Sequence, residues 1–173
     1  MSDFSVTLEQ VNTLSREAFV EAFGDIAEHS PWVAERAARR RPFADREAMA
    51  GAFIDAIFDA GDAEKLALVR AHPDLAGRAA VAGEIAEESK REQAGAGLDK
   101  LTAEEFARFT ELNHAYRARF QFPFILAVKG ASKHQILESF RKRLGSDPEA
   151  ELAMAIRQVA RIVTFRIEDR VRA

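Results

Sequence analysis

Asp147-Pro-Glu-Ala-Glu-Leu-Ala-Met-Ala-Ile-Arg-Gln-Val-Ala-Arg-Ile-Val-Thr-Phe-Arg166 reads as one long helix that carries a polar intruder. Asp147 is a capping residue, and Pro148 suits the first helical position, where its missing N–H costs nothing. At 100° per residue, Leu152, Ile156, Val159 and Val163 fall within about 60° of one another, a narrow stripe that faces a core. Arg166 lies on that same stripe, whereas Arg157 and Arg161 lie on the opposite side. A guanidinium does not shed its charge, so a buried one needs an anion or several acceptors. Two partners satisfy Arg166: an acidic residue of a facing helix, or a ligand. Arg170 is close enough to the chain end to reach water.

Working back from this helix, similar caps announce the others. Ser15 opens a helix to about Ala27, and Ser30-Pro31 one that the basic run Arg39-Arg-Arg41 and Pro42 close. Asp45 caps a helix with Met49, Phe53, Ile54, Ile57 and Phe58, ended by Gly61, and Asp62 caps the next. A weak helix follows Gly77. Ser89-Lys-Arg-Glu92, Thr102-Ala-Glu-Glu105 and Ser132-Lys-His-Gln135 each match a capping box. Strand-like patterning is confined to Phe124-Ile-Leu-Ala-Val128. The expected fold is all-α, a single domain over residues 1–173 with about eight helices.

Composition narrows the chemistry. The chain has 173 residues, a formal net charge of −3 and no cysteine. The charge does not point to nucleic acid or to an acidic membrane surface. Without cysteine there is no disulfide, thiolate nucleophile or cysteine-based metal site. No window approaches the ~18 apolar residues of a membrane span, and the N-terminus lacks a secretory pattern, so a cytoplasmic protein is expected.

The residues with chemical promise cluster around Leu68-Val-Arg-Ala-His-Pro-Asp-Leu-Ala-Gly77. Pro73 pushes His72 out of the α region, so the imidazole stands where a helix stops. A side chain that titrates near neutrality on so restricted a backbone suits acid–base work; the plainer reading makes it a helix end. Asp74 accompanies His72, but no third ligand at suitable spacing does, so no metal is expected. Glu92 and Gln93 would sit in the first turn after a capping Ser89, where N–H groups can hold an anion. Phe120-Gln-Phe-Pro-Phe124 is too aromatic for a solvated loop and reads as a packed segment whose backbone groups need partners. Asn113, among Phe106, Phe109, Tyr116 and Phe120, reads as a hydrogen-bonded core asparagine. His29, His114 and His134 read as surface residues.

Three motifs in order extend this reading over nearly the whole chain. They are Ala71-His-Pro-Asp-Leu-Ala-Gly77, Glu88-Ser-Lys-Arg-Glu-Gln-Ala-Gly-Ala-Gly-Leu98, and Leu112-Asn113 followed by Tyr116 and Phe120-x-Phe-Pro-Phe124. Together they resemble the 2-oxo-4-hydroxy-4-carboxy-5-ureidoimidazoline (OHCU) decarboxylases of urate breakdown. Asn12-Thr-Leu-Ser-x-x-x-Phe19 and the closing arginine, Arg166, agree with that pattern. The short His-Pro-Asp match to J-domain co-chaperones lacks the flanking features of that family. The resemblance implies an all-helical homodimer without a cofactor that converts OHCU to (S)-allantoin and CO2. On the chemistry, Glu92 is expected to be catalytic by managing the proton that fixes the S configuration; the resemblance itself implies that His72 is catalytic and puts Glu92 in the polar wall. It further implies that Pro73, Ser89, Gln93, Phe124, Ile125, Leu126, Ala127, Val128 and Arg166 bind substrate, the 124–128 segment through its backbone. Gln121 stands where the family usually has glycine, so the turn or the pocket is expected to differ there.

The implied chemistry has definite needs. Loss of CO2 leaves an electron pair on carbon, which the conjugated ring of this substrate can delocalise. The protein must hold a polar planar ring, stabilise developing charge and deliver a proton to one face. Two other classes compete: a helical ligand-binding module without catalysis, and a phosphotransfer domain, which would expose its histidine mid-helix.

Overall fold

The computed structural model describes residues 5–173. These residues form ten helices and two very short strands. The all-α expectation holds, and one short helix, Leu8–Thr13, was not read from the sequence. The described residues gather into two compact units, one of residues up to Ala71 together with Ala160–Ala173, the other of His72–Val159.

In the first unit, β1 (Val6–Thr7) pairs in parallel with β2 (Val171–Arg172), Val6 opposite Val171. Thr7 then caps α1 (Leu8–Thr13) in a capping box with Gln10. Ser15 caps α2 (Arg16–Phe23) as expected. The chain continues through α3 (Trp32–Ala38), α4 (Arg46–Phe58), which Asp45 caps, and α5 (Asp62–Arg70). Two caps differ from expectation. Pro31, not Ser30, precedes α3, because the Ser30 hydroxyl donates to the Glu28 carbonyl instead. Gly61 precedes α5, which leaves Asp62 in the first turn, where its charge complements the dipole. Phe19 centres the core, with its ring 5.0 Å from Phe23, 6.1 Å from Phe53 and 6.2 Å from Phe43.

The second unit begins at His72 and contains α6 (Arg78–Val81), α7 (Glu87–Gly95), α8 (Ala103–Phe120) and α9 (Lys133–Leu144). Its core is built on Tyr116, whose ring lies 4.6–5.8 Å from Phe120, Phe122, Phe124 and Phe140. Thr102 and Ser132 close their capping boxes as their spacing predicts. Ser89 does not cap: α7 starts after Ala86, and Ser89 is a buried third residue of the helix. Glu87 and Glu88 supply the negative first turn that brings the start forward. Glu92 and Gln93 consequently lie in the second turn, and the anion-holding argument for them falls away. Residues 123–128 are neither helix nor strand. The last helix, α10 (Pro148–Arg170), gives residues up to Val159 to the second unit and the rest to the first.

Candidate active site

The turn after α5 is built around His72, which is 6% exposed. Three side chains from α7 and α8 hold the stretch that follows it, two of them by its backbone. Gln93 Oε1 accepts the N–H of Ala76 at 2.8 Å, and Gln93 Nε2 donates to the carbonyl of Asp74 at 3.2 Å. Asn113 Nδ2 donates to the carbonyl of Leu75 at 2.9 Å. Arg117 Nε donates to Asp74 Oδ1 at 2.8 Å. This satisfies a buried, irregular stretch of backbone that no regular ladder serves. It also holds Ala76 at φ 51°, a left-handed conformation unfavourable for a residue with a Cβ. Gly77 is required by proximity: a Cβ there would lie 2.7 Å from that of Asp74.

The expected site residues of α7 are spaced to share one face of that helix. Ser89 and Gln93 are buried and Glu92 is half-buried. Gln93 is thus no surface residue; both ends of its amide are joined to the chain just beyond His72 and Pro73. Asn113 is the hydrogen-bonded core residue that its helical phase suggested. His29, His114 and His134 are exposed, as expected.

Phe124, Ile125, Ala127 and Val128 are buried and Leu126 is half-buried. The partners of this segment come from α9 and α10. Arg143 Nη1 donates to the Ile125 carbonyl at 2.5 Å, and the Ala127 N–H donates to Gln158 Oε1 at 3.1 Å. Arg143 is in turn held by Glu151, with Nε 2.6 Å from Oε1, and Tyr116 donates its hydroxyl to the same oxygen at 2.6 Å. Burial, with Glu151 accepting its O–H, pushes the Tyr116 phenol far above its ordinary pKa, so it remains a donor. Phe124 lies between the Arg143 guanidinium, 4.4 Å from its ring centre, and Phe140, stacked at 3.9 Å. Sequence reasoning placed none of Arg143, Glu151 or Gln158 here; a basic residue in the last turn of α9 looks like an ordinary dipole partner.

Gln121 takes the left-handed position that ends α8, at φ 64° and ψ 22°. Its exposed side chain turns back to donate to the Ala118 carbonyl at 3.1 Å. The turn therefore keeps a shape suited to glycine, and the extra side chain lies along the helix end.

Arg166 belongs to the first unit and is 3% exposed, as its helical phase requires. Arg166 Nη2 donates to Glu28 Oε1 at 2.9 Å and Nη1 to the Ile26 carbonyl at 3.1 Å. An internal acid therefore partners this guanidinium, from the turn after α2 and not from a facing helix. An open groove of about 410 Å³ between α3, α4 and α5 holds none of the expected site residues. Arg36 pairs with Glu64 across it, and Arg40 with Asp55.

The sequence profile of the OHCU decarboxylase family matches residues 12–168. The chain belongs to the OHCU decarboxylase family. It is 41% identical over 165 residues to the 2-oxo-4-hydroxy-4-carboxy-5-ureidoimidazoline decarboxylase of Haloferax volcanii, covering 95% of this chain and 96% of that relative. To the protein of the same name from Amia calva it is 43% identical over 165 residues, 94% of this chain and 93% of the other. Among solved structures, a crystal structure of (S)-allantoin synthase superposes with a TM-score of 0.78 at 30% identity. That match covers 96% of this chain and 54% of the larger one, so this OHCU decarboxylase family member spans about half its length.

Proposed function

We propose that this chain is a carboxy-lyase of urate degradation that converts OHCU to (S)-allantoin and CO2. The observation that carries the reading is the full-length similarity to OHCU decarboxylases, joined to a buried histidine on a turn that three side chains immobilise. In the reaction the bond from the ring carbon to its carboxylate breaks and CO2 leaves. The electron pair delocalises into the conjugated ring, and one proton returns to that carbon from a single face. The ring is its own electron sink, so the protein's contribution is orientation, charge stabilisation and proton delivery.

In this reading His72 contacts the carboxylate or hydroxyl of the substrate and assists loss of CO2, and Glu92 manages the proton that sets the S configuration. Pro73, Ser89, Gln93, Arg166 and the backbone of 124–128 orient the ring. The family resemblance supports these roles and a homodimer; the single functional domain over 1–173 and the cytoplasmic setting rest on the reading of length and composition. Among the described residues no helix is long and apolar enough to cross a membrane.

The test generates OHCU from urate enzymatically and follows the circular dichroism of allantoin with and without this protein. Spontaneous decay yields racemate, so a rapid rise of the optical signal of the S form is the expected result. An unchanged rate with racemic product would refute the assignment.

A further inference from the structure

Tyr116, Glu151 and Arg143 are all buried in the second unit, at 0%, 1% and 8% exposure. A buried ion pair adds little net stability, because desolvating both charges offsets their attraction. Three apolar side chains would fill the same core more cheaply, which directs attention to what the charges hold. They hold one backbone atom. The Tyr116 hydroxyl and Arg143 Nε converge on Glu151 Oε1, and the fork of Arg143 carries the load to the Ile125 carbonyl at 2.5 Å. The same guanidinium covers the face of Phe124, and Gln158 fixes the Ala127 N–H two residues further on. A segment without helix or ladder is thus pinned at alternate residues by side chains from α9 and α10, with Tyr116 of α8 holding Glu151 behind them. A tyrosine and an arginine serve here because each reaches from an apolar wall with a directional donor.

We infer that the Tyr116–Glu151–Arg143 relay is a positioning device that sets the backbone of residues 124–128 for the substrate ring, an inference that rests on the proposed decarboxylase reading. None of the three touches substrate in this scheme. Their effect is transmitted through the Ile125 carbonyl, so loosening the relay weakens substrate capture before it affects the chemical step.

The test compares kcat and KM for enzymatically generated OHCU in the wild-type chain and in Tyr116→Phe, Arg143→Lys and Ile136→Val. Tyr116→Phe removes one hydroxyl and keeps the ring packing. Arg143→Lys keeps the cation and removes the fork. Ile136→Val is a control, a fully buried α9 residue outside the relay, chosen to lower stability without disturbing it. Assays run well below each melting midpoint. The expected result is a KM raised about tenfold in Tyr116→Phe and further in Arg143→Lys, with kcat within about twofold of wild type. The control should lose thermal stability with KM unchanged. Relay variants that melt earlier yet keep the wild-type KM would overturn the inference, as would a control whose KM rises equally. Should one relay variant fail to fold, the other decides. A wild-type chain that does not accelerate OHCU loss would overturn the decarboxylase reading and this inference together, whereas an active wild type with unaltered relay variants would overturn this inference alone.

Discussion

Gln93 Oε1 accepts the backbone N–H of Ala76 at 2.8 Å, which ties the second turn of α7 to the left-handed residue four positions after His72. The other end of the amide donates to Asp74, so one side chain spans the turn. Gln93→Leu would leave a buried N–H and a carbonyl without these partners, a cost of about 1–3 kcal/mol for each group. Gln93→Glu would keep the acceptor for Ala76 but set a carboxylate oxygen against the Asp74 carbonyl. Both variants should melt earlier and lose at least about tenfold in activity, because His72 is held through this turn. A Gln93→Leu chain with an unchanged melting midpoint and low activity would instead mark Gln93 as a substrate contact only.

His72 and Glu92 give a sharper separation between folding and chemistry. His72→Ala and Glu92→Ala should keep native circular dichroism and no longer accelerate allantoin formation, a loss of about 10²–10⁴-fold for a proton-transfer group. Chiral analysis distinguishes their roles. The Glu92 variant should lose the excess of the S form in whatever product it makes. Full activity and stereochemical yield in His72→Ala would end the proposed mechanism.

The Arg166–Glu28 pair predicts a non-additive stability cycle. Both side chains are 3% exposed, so removing one leaves the other charge buried. Glu28→Ala should destabilise the chain by about 3–5 kcal/mol in urea titrations. Combining Glu28→Leu with Arg166→Met should cost clearly less than the sum of the single changes, since two apolar groups replace a desolvated pair. A Glu28→Ala variant within about 0.5 kcal/mol of wild type would contradict the burial of that charge.

These residues also show what was legible before the fold. Ser15, Asp45, Thr102 and Ser132 sit within three residues of the N–H groups they serve, and a signal that local survives in sequence. The burial of Arg166 was legible because helical phase is also local. Its acid partner was not: Glu28 is 138 residues away, on a turn. Local signals also compete. Ser89 looked like a cap, but Glu87 and Glu88 start the helix earlier and leave Ser89 inside it. The α1 helix has six residues, too few to display a stripe. The relay of Arg143 to Ile125 and the clamp of Gln93 on Ala76 join different elements, and only tertiary packing creates them.

Asp25 links stability to pH. Burial alone would raise its carboxyl, but the hydrogen bonds and charge of Arg170 hold it below the usual value. Arg170 engages both carboxylate oxygens, at 2.6 and 2.9 Å. A depressed folded pKa stabilises the chain at pH values above the unfolded carboxyl, near 3.8, and that contribution disappears as pH falls through the folded value. Thermal melts of wild type and Asp25→Asn should therefore differ by a constant amount from pH 7 to about 5 and converge below about pH 4. A gap that widens on acidification would reverse the sign and refute the pairing.

Gln121 closes α8 in a conformation that costs an L-residue about 1–2 kcal/mol, because its Cβ crowds the following carbonyl. Glycine carries no such penalty but loses about 0.5–1 kcal/mol of chain entropy on folding. The side chain also recovers little, since its bond to the Ala118 carbonyl is exposed to water. Gln121→Gly should therefore stabilise the chain by roughly 0.5–1 kcal/mol, read as a higher denaturation midpoint with an unchanged urea slope. The same substitution should leave KM for OHCU within about twofold of wild type, because the Gln121 side chain folds back on the Ala118 carbonyl and glycine keeps the left-handed turn. Gln121→Ala keeps the Cβ and should show no such gain. A destabilised Gln121→Gly variant would mean that the glutamine supports the turn more than the left-handed backbone opposes it.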